Sequence, residues 1–257
     1  MSLETTRLPL AELHSIVLWS MLAIAVMVFV SLLFVSAPYG RYARGGWGPG
    51  VSAKTGWMVM EAPASLLMLG PLFLIPLNGV IVLFLLIWQI HYFHRAFVYP
   101  LSLKSRREIP ISVVLMALVF NTVNAFLNGG HFVLHAEWYT ANWLTTPQFV
   151  IGLLIFAAGY YATKRSDKIL ADLREQPGDD YKVPVGFLYR WVSCPNYLAE
   201  SVQWFGWALM TLSPAGFVFF AWTVANLMPR AISHHRWYKE TFPEYPKDRK
   251  AFMPYVV

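Results

Sequence analysis

Val80-Ile81-Val82-Leu83-Phe84-Leu85-Leu86-Ile87-Trp88-Gln89-Ile90-His91-Tyr92-Phe93-His94-Arg95 begins as an unbroken apolar run and ends in polar rings and a guanidinium. Continued to residue 98, the stretch nearly matches the roughly 20 residues a helix needs to cross a bilayer. Gln89 and Tyr92 stand three apart, so these polar groups share one helix face. One segment therefore carries a membrane span and, at its end, groups too polar for lipid.

The rest of the chain repeats the pattern. Of 257 residues, 57% are apolar, 16% aromatic and only 13% charged, against about 25% charged in a soluble domain. Mean hydropathy is +0.47. That excludes a disordered, nucleic-acid-binding or ordinary cytosolic protein. Apolar stretches fall at 15–37, 57–74, 80–98, 111–127, 149–162, 197–212 and 215–232, the fifth and sixth being short and aromatic or polar at their ends. The fold class expected is an all-α membrane protein, a bundle of about seven transmembrane helices in one domain spanning 1–257. The sixth stretch is polar enough to lie partly against protein rather than lipid.

Charge sets the orientation. Arg41, Arg44 and Lys54 follow the first stretch, and Lys104, Arg106 and Arg107 the third. Lys164, Arg165, Lys168, Arg174, Lys182 and Arg190 follow the fifth, and the seventh ends among Arg230, Arg236, Lys239, Lys247, Arg249 and Lys250. The loops after the second, fourth and sixth carry neither Lys nor Arg. Basic loops face the cytoplasm, so the N-terminus is expected outside and the C-terminus cytoplasmic. A multi-pass protein of the bacterial inner membrane or endoplasmic reticulum fits, as a monomer in contact with lipid. Cys194, the one cysteine, offers no intramolecular disulfide, and the acidic Glu4 and Glu12 do not read as a cleavable signal.

Polar residues recur at helical spacing within these stretches. Glu61 lies one turn from Trp57; Asn121, Asn124 and Asn128 follow at i, i+3 and i+7. Thr163, Asp167 and Arg174 share a face, as do Asn196 and Glu200. Asn226, Arg230, His234 and Tyr238 are each four apart. Any one stripe is explained by interhelical hydrogen bonding. Together, clustered toward the cytoplasmic ends, they indicate a polar, partly cationic cavity open to that side.

Metal is not expected there. His91-x-x-His94, His131-x-x-x-His135 and His234-His235 are divided between the two membrane sides, and His131, His135 and Glu137 fall short of the four ligands a closed zinc site wants. The glycine-rich Gly45-Gly46-Trp47-Gly48-Pro49-Gly50 has no G-x-G-x-x-G register and no preceding strand, which excludes a Rossmann domain. A dinucleotide would be held by the helices and cytoplasmic loops, with Arg174, Arg230, Arg95 and Arg107 as phosphate partners, since a guanidinium fork suits phosphate.

The chain resembles the integral-membrane, NADPH-dependent steroid 5α-reductases (3-oxo-5α-steroid 4-dehydrogenases). The matching segments are Glu61-Ala62-Pro63, His91 to Tyr99, Ser166-Asp167-x-Ile169-Leu170-x-x-Leu173-Arg174, Tyr181-Lys182-Val183-Pro184 and Asn196 to Glu200. Arg230-x-x-x-His234-His235-Arg236-Trp237-Tyr238 and Glu244 to Ala251 complete the set. The likeness runs from about Trp57 onward. It implies Glu61 and Tyr92 as the catalytic pair and Trp57 and Phe120 in the steroid pocket. It implies Asp167, Arg174, Tyr181, Asn196, Glu200, Arg230, His234 and Tyr238 as NADPH contacts. Thr163 stands where the family often has Asn.

The residue types suit that chemistry. Reducing a conjugated enone needs hydride at the β-carbon and a group that polarises the carbonyl, and no side chain supplies hydride. Tyr92 can donate through its phenol. A buried carboxyl costs far less neutral than ionised, so Glu61 is expected as a neutral acid that donates or holds the phenol. An enzyme of the same outline acting on a polyprenol or enoyl-CoA is the nearest alternative. A seven-span transporter or receptor is the alternative outside enzymes, and no internal repeat supports a transporter.

Overall fold

The computed structural model describes residues 3–38, 40–76, 78–103, 108–174 and 181–257. Helices dominate: α1 (Leu3–Phe34), α2 (Ala53–Leu66), α3 (Pro71–Leu74), α4 (Gly79–Phe93), α5 (Tyr99–Ser102), α6 (Ile111–Leu134), α7 (Pro147–Arg174), α8 (Pro195–Thr211) and α9 (Pro214–Thr241). Each apolar stretch read from the sequence falls largely on these helices, the second running from α2 to α3 and the third past the end of α4. Among the described residues, Leu8–Phe34, Ala53–Leu74, Gly79–Ser102, Ile111–Leu134 and Pro214–Thr241 are long and apolar enough to cross a membrane. These five mark an integral membrane protein. α7 and α8, on the fifth and sixth stretches, are not among them.

Contacts divide the chain into two compact units. The first comprises Met1–Met21, Ala37–Phe149 and Ser213–Ala215; the second comprises Leu22–Ser36, Val150–Leu212 and Gly216–Val257.

In the first unit, Asn78 caps α4 by accepting from Val80 N at 2.9 Å, while its amide donates to Tyr139 O at 3.0 Å. Phe84 then stacks on Phe132 with ring centres 5.5 Å apart and meets the edges of Tyr139 and Phe149. One turn on, Trp88 Nε1 donates to Ala64 O at 2.8 Å, and Gln89 exchanges two hydrogen bonds with Ser65, binding α4 to α2. α4 opens into a π-helical turn at His94–Val98. Pro100, lacking an N–H, cannot continue the α-helical ladder, and Tyr99 N reaches back to His94 O instead. Before α2 and before α6, two short strands, β1 (Gly50–Ser52) and β2 (Glu108–Pro110), pair antiparallel with Val51 opposite Ile109. The segments that lead into α2 and α6 are thus joined to each other.

In the second unit, glycine lets α7 and α8 touch backbone to backbone. A Cβ at Gly152 would collide with Met210 N, and one at Gly159 with Gln203 N. Such close contact replaces lipid around α8, where Gln203 and Trp207 are fully buried. The tail returns along the loop before α8: Val192 bridges Lys250, and Ser193 N and Cys194 N donate to Lys250 O and Ala251 O.

Candidate active site

Glu61 and Trp57 project one turn apart from α2, and Glu61 is 7% exposed. Its Oε1 lies 3.2 Å from Arg95 Nε in the π turn. The same guanidinium sits over the Trp57 ring, 4.9 Å from its centre, and Trp57 meets Tyr99 edge-on. From α6, Asn121 Nδ2 donates to Glu61 Oε2 at 3.2 Å and to Met60 O at 2.6 Å. One turn further along α6, Asn124 Nδ2 donates to Tyr92 Oη at 3.4 Å. Tyr92 is 3% exposed and stacked on Trp88 at 4.7 Å. Half-buried Phe120 is the neighbour of Asn121 in sequence.

The structure thus brings Trp57, Glu61, Tyr92 and Arg95 to one face of α6. Glu61 accepts from Arg95 on one oxygen and from Asn121 on the other, an arrangement that suits a carboxylate. Arg95, read as a phosphate partner, is engaged with Glu61 and Trp57.

The second unit holds a separate group. Asn196 Nδ2, in the first turn of α8, donates to Asp167 Oδ1 on α7 at 3.1 Å. Arg230 Nη2, on α9, donates to Tyr197 Oη at 2.9 Å, and the same oxygen lies 3.4 Å from His234 Nε2. Arg230 and His234, four apart on α9, therefore meet at one phenol. Glu200 is half-buried one turn beyond Asn196. These guanidinium, imidazole, amide and hydroxyl groups form a donor set suited to phosphate and ribose.

Other predicted members lie differently. Tyr181 is exposed and meets Trp237 edge-on at 5.3 Å. Tyr238 is buried, stacked on Tyr245 with rings 5.3 Å apart and 7° from parallel. Arg174 is exposed at the end of α7, and Arg107 lies outside the described residues. The Thr163 hydroxyl donates to Gly159 O at 2.9 Å within its own helix.

Sequence reasoning gave no role to Tyr197 or to Ser193, whose Oγ lies 2.7 Å from His235 Nδ1 and 2.6 Å from Tyr245 Oη. Burial pushes the Tyr245 phenol above its ordinary value, which keeps it a hydrogen-bonding hydroxyl. Neither residue has a periodic signal; the partners of Ser193 are distant in sequence. At the far end of α6, His131 bonds the Tyr139 hydroxyl at 3.0 Å and packs against His135.

An ion pair between buried Glu61 and half-buried Arg95, and a phenol bonded to Asn124, thus lie together on helices apolar enough to cross a membrane. The chain belongs to the 3-oxo-5-alpha-steroid 4-dehydrogenase family, oxidoreductases acting on CH–CH bonds, whose model matches residues 107–257. It is 42% identical to a steroid 5-alpha-reductase DET2 of Gossypium hirsutum, over 91% of this chain and 93% of that one. It is 40% identical to the DET2 of Arabidopsis thaliana over 88% and 90%. Human 3-oxo-5-alpha-steroid 4-dehydrogenase 1 is 34% identical over 91% and 92%.

Proposed function

We propose that the protein reduces the Δ4 double bond of 3-oxo-Δ4-steroids to 5α-3-oxo-steroids, using NADPH. The observation that carries the reading is the cluster of buried Glu61, Tyr92 and Asn124 with half-buried Arg95 beside Trp57, in a chain whose relatives bear that activity in their names.

Tyr92 donates its phenolic proton to the C3 carbonyl oxygen as enolate charge develops. Glu61, held by Arg95 and Asn121, fixes the polar wall behind that carbonyl. Trp57 and Phe120 present flat apolar surface to the steroid rings. When bound, NADPH supplies the hydride that joins the β-carbon. The donor set of the second unit fits it: Arg230 and His234 offer charge to phosphate, while Asp167, Asn196, Tyr197 and Glu200 offer hydrogen-bonding partners to ribose and base. Arg174, Tyr181 and Tyr238 extend that assignment by family resemblance. The proposed topology is seven spans, with α7 and α8 included, the N-terminus outside and the C-terminus cytoplasmic.

The test is isotopic. Cofactor deuterated at both C4 positions of its dihydronicotinamide ring should place deuterium at C5 of the reduced steroid. Label elsewhere, or product without label, would refute the reading.

A further inference from the structure

The amides of Asn124 and Asn128 settle which way the hydrogen bonds around Tyr92 run. Both residues are 2% exposed. Asn128 Nδ2 lies 3.1 Å from the main-chain oxygen of Asn124 and 3.0 Å from Asn124 Oδ1. A main-chain carbonyl can only accept, so the Asn128 atom facing it must be the amide nitrogen. That nitrogen also faces one end of the Asn124 amide, where a second N–H would repel it, so that end is Oδ1. The other end is then Nδ2, and it points at Tyr92 Oη 3.4 Å away. An amide whose two ends look alike is thus oriented by its neighbour.

We propose that Asn124 and Asn128 are positioning residues that set the polarity of the Tyr92 phenol. The inference rests on the reading of Tyr92 as proton donor. Asn124 gives the phenol oxygen an N–H, so the phenol's own proton is not spent on Asn124 and can pass to the substrate carbonyl in the reaction. Asn128 keeps Asn124 from turning its oxygen that way.

In the step itself, the Tyr92 O–H bond breaks and the carbonyl oxygen gains the proton while hydride reaches the β-carbon. The product is the enol, which loses its hydroxyl proton and gains one at the α-carbon. Solvent returns one proton to Tyr92, so each turnover consumes one hydride and one proton. The electron pair left on Oη accepts the Asn124 N–H, a bond that strengthens as charge builds. A bond that is long in the resting protein tightens during reaction.

The test compares Asn124→Leu, Asn128→Leu and the double variant. Asn124→Leu should lower kcat about ten- to a hundredfold, the loss expected for a hydrogen bond to a charged group. Steroid KM should stay within about twofold. The solvent deuterium effect on kcat should rise, because proton transfer becomes slower. Asn128→Leu should act in the same direction but add nothing once Asn124 is replaced, since it works through that residue.

A second readout needs no turnover: the phenol C–O stretch of Tyr92 in the infrared, isolated by subtracting the Tyr92→Phe spectrum, should shift in both single variants. Unchanged kcat, fully additive effects or an unshifted stretch would each overturn the proposal. Should the unmodified protein reduce no steroid, the functional reading fails, and the infrared result alone decides the polarity of the bond. Asn124→Asp and Asn128→Ser carry the same comparisons should the leucine variants not accumulate.

Discussion

Arg95 and Glu61 face each other between the π turn after α4 and the middle of α2, with Nε and Oε1 3.2 Å apart. Three devices make that pairing. Pro100 widens the turn that carries Arg95, Asn121 holds the second carboxylate oxygen, and the Trp57 ring underlies the guanidinium.

Breaking the pair from one side should cost more than removing it whole. Arg95→Leu leaves a carboxylate in a poorly solvated site without its guanidinium, whereas Arg95→Leu with Glu61→Gln leaves no charge. The expected coupling is about 0.5–3 kcal/mol, with Arg95 partly solvated and the value correspondingly below that of a fully buried pair. Thermal unfolding of both single variants and the double in detergent measures it. Strictly additive effects would show that the two groups do not depend on each other.

Gly159→Ala should destabilise the second unit, because a Cβ there collides with Gln203 N, which is backbone and cannot swing aside. Overpacking of this kind costs about 1–3 kcal/mol. A lowered melting temperature for Gly159→Ala, beside an unchanged one for Gly79→Ala, where a Cβ meets open space, is the expected result.

Arg230→Ala should weaken NADPH binding by about 1.5–3 kcal/mol, on the order of ten- to a hundredfold in Kd. It also deprives Tyr197 of its 2.9 Å donor. Arg174→Ala, at an exposed helix end, should have a smaller effect of the same sign. Fluorescence titration of folded variants checks both, and an unchanged Kd for Arg230→Ala would place the cofactor elsewhere.

Much of this architecture is legible in the residues, for reasons that can be named. Asn121, Asn124 and Asn128 recur at helical spacing, and the structure puts them on the face of α6 that meets Glu61 and Tyr92. Glu61 and Trp57 share a face for the same reason. The Arg95 partner was not legible, because it depends on a π turn that breaks the regular period used to read faces. Nor was the contact between Glu61 and Arg95, which stand 34 positions apart. The lean composition of α7 and α8 becomes intelligible through glycines whose contact partners periodicity cannot identify. The Ser193, His235 and Tyr245 cluster joins positions 42 and 52 apart, a closure made by the returning tail and invisible to local pattern.

The central claim is tested most directly by measuring 5α-3-oxo-steroid formed from testosterone or progesterone by the purified protein with NADPH, beside its Tyr92→Phe variant. Removing the hydroxyl leaves the ring stacked on Trp88, so packing and cofactor binding should survive. The account predicts product from the unmodified protein, one equivalent per NADPH consumed, and a rate lower by about 10²–10⁴ in the variant. No 5α product from the unmodified protein, or near-normal turnover by Tyr92→Phe, would contradict it.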